Sequence, residues 1–139
     1  MFLIQRNSDE KQFVLKFIES GAVDINIIEK EIKVMEVGKQ DPHGTILQCW
    51  DTFDFQRRIW IVLDLMDHSI LTQLIEEKYD KYNENFIKYV MLRIVQGIAF
   101  LHSRNIIHRD LKSDNILLSS TGEIKLTGFQ YAAFLDHSE

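Results

Sequence analysis

The sequence predicts an α+β fold, with an antiparallel sheet in the first half of the chain and mainly helices in the second. Three observations carry this prediction. Short apolar runs separated by turn residues fill the first part, a long amphipathic pattern spans Glu84–Ser103, and a charged loop follows it. The chain has 139 residues, of which 45% are hydrophobic and 27% charged, as is typical of a globular domain with a sizeable core.

The chain opens with a predicted β-hairpin. Residues 2–4 and 13–18 are apolar runs, and the polar residues 7–11 between them suit a turn. From Asp24 onward the apolar spacing changes to three and four residues. This spacing predicts one apolar face of a helix, formed by Ile25, Ile28, Ile32 and Met35.

Two more strands are predicted after this helix. Pro42 and Gly44 mark a loop, and strand-like runs follow at residues 45–50 and 59–65, separated by the polar residues 54–58. The four predicted strands together suggest a sheet that is complete before the helical half begins.

The second half begins with a short predicted helix. Ser69 is a candidate N-cap, and the helix is expected to run through Glu77. Asp80 and Lys81 suit a surface break after it.

The strongest helical pattern is Glu84–Ser103, where a broad apolar stripe repeats at helical spacing. Asn105 is expected to terminate this helix. Residues 116–118 and 124–126 are apolar runs around a Ser-Thr-Gly-Glu turn, which predicts a second hairpin.

Composition excludes several classes of protein. The net charge of −5 lacks the basic footprint that nucleic-acid binding requires. Cys49 is the single cysteine, so no disulfide can form within the chain. No apolar run approaches the ~18 residues of a membrane span, and a cytoplasmic or nuclear location is the default expectation.

Residues 108–115 carry the chemistry. This charged loop lies between two apolar pairs, which are expected to anchor both of its ends. Asp110 could accept a proton from a hydroxyl nucleophile, and Lys112 could neutralise transferred negative charge. Asn115 offers a carbonyl oxygen, a hard ligand suited to Mg²⁺.

Residues 107–118 read Ile-His-Arg-Asp-Leu-Lys-Ser-Asp-Asn-Ile-Leu-Leu and resemble the catalytic loop of eukaryotic protein kinases. They look most like the PAK-like, sterile-twenty branch of serine/threonine kinases. Residues 100–103 are similar to the end of the family's helix E, and residues 59–64 to its strand five and hinge.

This resemblance implies a partial two-lobed protein-kinase-like fold. Residues 1–66 would be an N-lobe fragment with strands two to five, helix C and the hinge. Residues 67–139 would be a C-lobe fragment with helices D and E, the catalytic loop and the start of the activation segment.

The resemblance also implies an activity and its residues. The family transfers phosphate from ATP to protein Ser or Thr with Mg²⁺. Asp110 matches the catalytic aspartate and Lys112 the lysine typical of the Ser/Thr pattern. Arg109 matches the arginine that pairs with a phosphorylated activation loop, and Asn115 matches a metal ligand. A protein substrate or docking partner and a nucleotide are the expected partners.

The resemblance implies a nucleotide pocket as well. Its lysine would hold the α- and β-phosphates, a helix C glutamate would pair with that lysine, and hinge residues would meet the adenine edge. The matching residues are Lys16, Glu31, Val14 above the adenine, Leu63 as gatekeeper, Asp64, Leu65 and Met66 in the hinge, and Leu117 at the floor.

The chain departs from the family's pattern at the metal-binding triplet. Gly128-Phe129-Gln130 stands where the family has Asp-Phe-Gly, so the metal-ligand carboxylate is replaced by Gly128. Losing that ligand is expected to cost several kcal/mol of transition-state stabilisation, or about three decades in rate. Val14 replaces a smaller alanine and is expected to crowd the adenine pocket.

The ends of the chain carry further expectations. No glycine-rich loop occurs, and residue 1 matches the start of strand two. The helices that complete the C-lobe lie beyond the match, so we expect the apolar face around Ile94 and Ile98 to be partly exposed.

Three hypotheses remain open at this point. The chain is a kinase-like binding module with impaired catalysis, an active serine/threonine kinase represented by a fragment, or a truncated relic without function. Gly128 favours the first, the retained Asp110 and Asn115 favour the second, and the abrupt ends favour the third.

Overall fold

The computed structural model describes residues 1–19, 21–78 and 82–135. A four-stranded antiparallel sheet contains β1 (Phe2–Gln5), β2 (Gln12–Glu19), β3 (Cys49–Phe55) and β4 (Arg58–Asp64), in the order β1-β2-β4-β3. The hairpin predicted for the start of the chain is confirmed, since β1 pairs with β2 in antiparallel register.

The third strand lies later in the chain than the sequence predicts. Residues 45–50 were expected to form it, but β3 begins at Cys49 and includes residues 54 and 55. Ile46 instead forms an isolated parallel bridge with Leu126. Ile46 and Leu47 are apolar because they are buried between the sheet and the second half of the chain, so their hydrophobicity reports burial and not pairing within the first sheet.

The predicted first helix is confirmed as α1 (Ile25–Val37). It begins after Asp24, whose carboxylate accepts a hydrogen bond from the Asn26 amide as an N-cap. Ile28 and Met35 are buried, whereas Ile25, at the start of the helix, is 48% exposed.

The predicted N-cap at Ser69 is also wrong. Ser69 and Ile70 form a short strand, β5 (Ser69–Ile70), and the helix α2 (Leu71–Lys78) begins after it. Ser69 pairs with Leu118 and Ile70 with Leu117, which holds the backbone in an extended form before the helix starts. The break predicted at Asp80 and Lys81 lies outside the described residues.

The long helix is α3 (Glu84–Ser103), with the predicted bounds. Asn83 caps its N-terminus by accepting a hydrogen bond from the Phe86 amide. Asn105 has a positive φ of 58°, as expected of a residue that ends a helix. No helix in the described residues is both long and apolar enough to span a membrane.

The face of α3 around Ile94 and Ile98 is exposed in part, as expected. Ile94 itself is buried, and Ile98 is half-buried against the core. The exposed apolar side chains of this helix include Ile87, Tyr89, Met91, Leu92 and Val95.

The remaining strands hold the charged loop at both ends. β6 (Ile106–Ile107) pairs with β9 (Ala133–Phe134), and β7 (Ile116–Leu118) forms the predicted hairpin with β8 (Ile124–Leu126). The loop 108–115 therefore lies between two paired strands, and a 3-10 turn at Phe129–Tyr131 lies beside it. This architecture is a partial protein-kinase fold.

Candidate functional site

A cavity of about 320 Å³ opens between the first sheet, α1 and β7. It brings together seven residues that the sequence places around a nucleotide: Val14, Lys16, Glu31, Leu63, Asp64, Met66 and Leu117. Leu63 and Val14 are cross-strand partners in β4 and β2, so the sheet register sets both on the same wall. Three further residues complete the lining: Met1, Leu47 and Thr127.

Lys16 and Glu31, two of the charged residues that line the cavity, do not form the ion pair that the resemblance implied. Lys16 extends from β2 and Glu31 from α1, and both are half-buried. Among the described residues, the ion pairs include none between Lys16 and Glu31. The ammonium of Lys16 is therefore the cation of this wall that is available to an anionic ligand.

The Asp64 side chain is committed to the protein interior. Its Oδ2 lies 2.7 Å from Nζ of Lys125 and accepts the Gln48 amide at 2.9 Å, while Oδ1 accepts the Trp50 indole N–H at 2.8 Å. Its own amide N–H donates to the carbonyl of Gln48 at 3.2 Å. Asp64 thus lines the cavity, but both oxygens of its carboxylate are already bound by protein donors, so its role is structural.

Asp110 lies in the loop beyond the cavity and is surrounded by donors. Its Oδ2 is 3.2 Å from Nζ of Lys112, 2.9 Å from Nδ2 of Asn115 and 3.4 Å from Nε2 of Gln130. The Lys112 ammonium, followed by the Asn115 amide, lowers the pKa of Asp110 below its ordinary value. The Lys112 ammonium and the Asn115 amide therefore favour the ionised form of this carboxylate.

His108 fixes the start of the loop. Its Nδ1 accepts the Asp110 amide N–H at 3.2 Å, and its Nε2 lies 2.8 Å from the Thr127 carbonyl, to which it donates. These two contacts require the neutral tautomer protonated on Nε2. Burial lowers the pKa of His108, in keeping with that neutral form.

Arg109 is exposed and adopts a positive φ of 63°. Its Nε donates to the backbone carbonyl of Tyr131 at 2.6 Å. The side chain therefore reaches the segment that follows Gly128, on the side where a phosphorylated activation loop was expected from the resemblance.

Asn115 and Gly128 are in direct contact. Gly128 has φ +81°, and a Cβ placed there would lie 2.3 Å from Cγ of Asn115. The Asn115 amide donates to both the backbone carbonyl and the carboxylate of Asp110, at 2.8 and 2.9 Å. The position that carries a metal-ligand side chain in the family is here filled by the Asn115 amide.

The residues present do not fit the Mg²⁺ that the family implies. Mg²⁺ in nucleotide sites is held by one or two carboxylates together with phosphate oxygens. Gly128 supplies none, Asn115 offers only one neutral amide oxygen, and Lys112 already neutralises the Asp110 carboxylate. The described residues contain no group of three or more His, Cys, Asp or Glu arranged to hold a metal.

Sequence reasoning missed two kinds of residue here. Lys125 alternates with Ile124 and Leu126, a pattern that reads as an exposed position, yet it is 6% exposed because its ammonium reaches Asp64. Leu47 and Thr127 carry no chemical signal of their own. Only the register of β8 against residues 45–47 places them at the cavity, and a local pattern does not reveal that register.

Comparison with known proteins agrees with this geometry. The family model described as "Protein kinase domain" matches residues 1–139. Serine/threonine-protein kinase shk2 of Schizosaccharomyces pombe is 40% identical over 112 residues, covering 80% of this chain and 18% of that protein. Serine/threonine-protein kinase pakA of Dictyostelium discoideum is 34% identical over 131 residues, covering 93% of this chain and 11% of that protein.

A further relative, serine/threonine-protein kinase pakC of Dictyostelium discoideum, is 32% identical over 142 residues and matches 100% of this chain. The chain spans 29% of its length, so it is similar to less than a third of each of these three proteins. The catalytic-loop sequence, the cavity lining and the match over the whole chain agree. The chain belongs to the protein kinase family and resembles its PAK-like, sterile-twenty serine/threonine branch.

Proposed function

We propose that this chain is a kinase-like module that binds an adenine nucleotide in the cavity but is impaired in phosphoryl transfer, and that it acts by docking a protein partner. The observation that carries the proposal is the glycine at position 128, packed against Asn115. The division into an N-lobe fragment, residues 1–66, and a C-lobe fragment, residues 67–139, forms part of the same proposal.

The cavity supports the nucleotide part of the proposal. Its wall is mainly apolar, with Val14 and Leu63 on the first sheet and Leu117 on β7, as a planar base requires. Lys16 supplies a cation without an ion-pair partner in the described residues, suited to a phosphate. The proposed ligand therefore has a flat apolar part and an anionic part, as ATP and ADP do.

The missing carboxylate at position 128 supports impaired transfer. Phosphoryl transfer depends mainly on positioning and on neutralisation of charge by the metal. Gly128 supplies no ligand to that metal. The loss is expected to reach several kcal/mol, or about three decades in rate.

A second candidate is an active serine/threonine kinase of which this chain is a part. It is favoured by the retained Asp110, with Lys112 at 3.2 Å and Asn115 in hydrogen-bonding contact. A third candidate, the relic, predicts that the chain has no cooperative unfolding transition. The three hydrogen-bonded sheets and the buried core favour a folded chain.

Isothermal titration with ATP, ADP and adenosine tests the proposed ligand. We expect binding of all three, with Lys16→Met weakening ATP more than adenosine because the lysine contacts the phosphates. Lys88→Met is the matched control, because Lys88 is exposed on α3, where it forms an ion pair with Glu84. Absence of binding by the unmodified chain, or equal effects of both lysine variants, would contradict the proposal.

A further inference from the structure

The contact between Asn115 and Gly128 involves the whole amide group and not only its tip. A Cβ at position 128 would lie 2.3 Å from Cγ, 2.4 Å from Nδ2 and 2.5 Å from Oδ1 of Asn115. Contacts this short force one of the two groups to move. The Asn115 amide therefore fits in its place only because residue 128 has no side chain.

Hydrogen bonds hold the amide there. Two oxygens of Asp110, the carbonyl and Oδ2, lie 2.8 and 2.9 Å from the same atom of Asn115, and two acceptors require that this atom be the nitrogen. The Thr127 amide also donates to the Asn115 carbonyl at 3.0 Å, which ties the backbone of Asn115 to the residue before Gly128. The nitrogen Nδ2 and the oxygen Oδ1, the one atom of this side chain able to ligate a cation, both lie beside Gly128.

We propose that Asn115 and Gly128 form an interlock that replaces the cation site, so that the cavity takes an adenine nucleotide without requiring a divalent metal. Metal-independent binding of the nucleotide rests on the proposed function, whereas the interlock of Asn115 and Gly128 does not. Within it, Asn115 is a positioning residue for Asp110, and Gly128 supplies the space in which the amide lies.

Charge at the site agrees with this assignment. One oxygen of the Asp110 carboxylate, Oδ2, lies close to the Lys112 ammonium and to two side-chain amides, from Asn115 and Gln130. A divalent cation entering here would have to displace Lys112 or accept a like charge close by. It would also find no carboxylate on residue 128 to compensate its dehydration.

A double-mutant cycle on unfolding in urea, without any ligand, tests the interlock. Gly128→Ala and Asn115→Ala are made singly and together in the full chain. Gly122→Ala is the matched control, because Gly122 has a similar φ of +87° but open space where a Cβ would go. Both alanines carry the strain of a left-handed backbone, and only the one at position 128 meets the Asn115 amide.

We expect Gly128→Ala to raise the unfolding equilibrium constant by about tenfold more than Gly122→Ala does. In the Asn115→Ala background, this excess is expected to disappear. Equal costs at positions 122 and 128, or an excess that persists without the amide, would overturn the interlock. If Gly128→Ala alone fails to fold, folding of the double variant supports the interlock and its failure to fold overturns it.

A separate measurement tests whether nucleotide binding requires a divalent metal. The dissociation constant of ATP is measured by titration in EDTA and in millimolar Mg²⁺. We expect the two values to agree within about twofold. If Mg²⁺ tightened binding by about tenfold, metal-independent binding would be overturned. If ATP does not bind at all, the proposed function fails, and the unfolding cycle still decides the interlock.

Discussion

Lys125 and Asp64 form an ion pair of 2.7 Å in the interior, with side chains only 8% and 10% exposed. The pair joins the end of β4 to β8, two residues before the backbone reaches Thr127. The same carboxylate accepts the Gln48 amide and the Trp50 indole, so every oxygen of Asp64 is satisfied. The first sheet and the hairpin that leads to Gly128 are thus held in a fixed relation by one buried carboxylate.

Removing the ammonium of this pair should destabilise the chain strongly. Lys125→Met leaves the Asp64 carboxylate buried without its counter-charge, which typically costs about 3–5 kcal/mol. Lys88→Met, which removes an exposed pair with Glu84, should cost less than about 0.5 kcal/mol. Urea unfolding of both variants provides the comparison. Similar losses for the two variants would show that the buried pair does not anchor the sheet.

Stability should depend on pH through His108. Because burial lowers its pKa, the unfolded chain binds a proton more readily than the folded chain. The stabilisation is then complete above the unfolded pKa of about 6.5 and is lost as pH falls from there toward the folded pKa.

The unfolding free energy of the unmodified chain should therefore decrease as the pH falls below about 6.5, as measured by urea unfolding. His108→Asn removes the titrating group and should flatten this part of the profile, whatever its effect on stability at pH 7. An equally steep profile in the variant would assign the dependence to other groups.

Gly97 tests the packing of α3 against β8. In an exposed helix, alanine is favoured over glycine by about 0.8–1 kcal/mol. A Cβ on Gly97, however, would lie 2.8 Å from Leu126 Cδ1 and 2.9 Å from Thr45 Oγ1. We expect Gly97→Ala to lower the free energy of unfolding by about 1–2 kcal/mol, because crowding outweighs helix propensity. A gain in stability, read from the same urea curves, would mean that α3 lies farther from β8.

Val14 limits the size of the cavity. Val14→Ala removes two methyl groups from the wall opposite Leu117 and relieves the crowding expected for a base. The relief of about 1 kcal/mol corresponds to about fivefold tighter ATP binding by titration calorimetry. Val95→Ala is the control, because Val95 is 56% exposed on α3 and away from the cavity. Weaker binding by Val14→Ala would show that the valine contacts the ligand favourably.

Patterns that depend on local spacing predicted the structure well. The bounds of α3 follow from its apolar stripe and its cap, and both hairpins follow from apolar runs around polar turns. The strand predicted at residues 45–50 was wrong because burial by a distant segment, at Ile46 and Leu126, looks the same in sequence as strand pairing. The helix start at Ser69 was wrong because a two-residue strand pairing with β7 precedes it.

The candidate site shows the same division between local and distant information. The loop motif marks Asp110, Lys112 and Asn115, since its chemistry lies in consecutive residues. The sequence also shows that residue 128 lacks a carboxylate. It does not show that the Asn115 amide fills the vacated volume, because that contact depends on how two loops approach each other in space.

Phosphoryl transfer from γ-labelled ATP to a basic protein substrate, in millimolar Mg²⁺, tests the central claim most directly. The unmodified chain and Asp110→Asn are compared at equal concentration. We expect equally low label incorporation by both chains, because position 128 lacks the metal-ligand carboxylate and the Asn115 amide occupies the space where that side chain would lie. Transfer by the unmodified chain that is lost in Asp110→Asn would contradict impaired phosphoryl transfer and identify an active kinase.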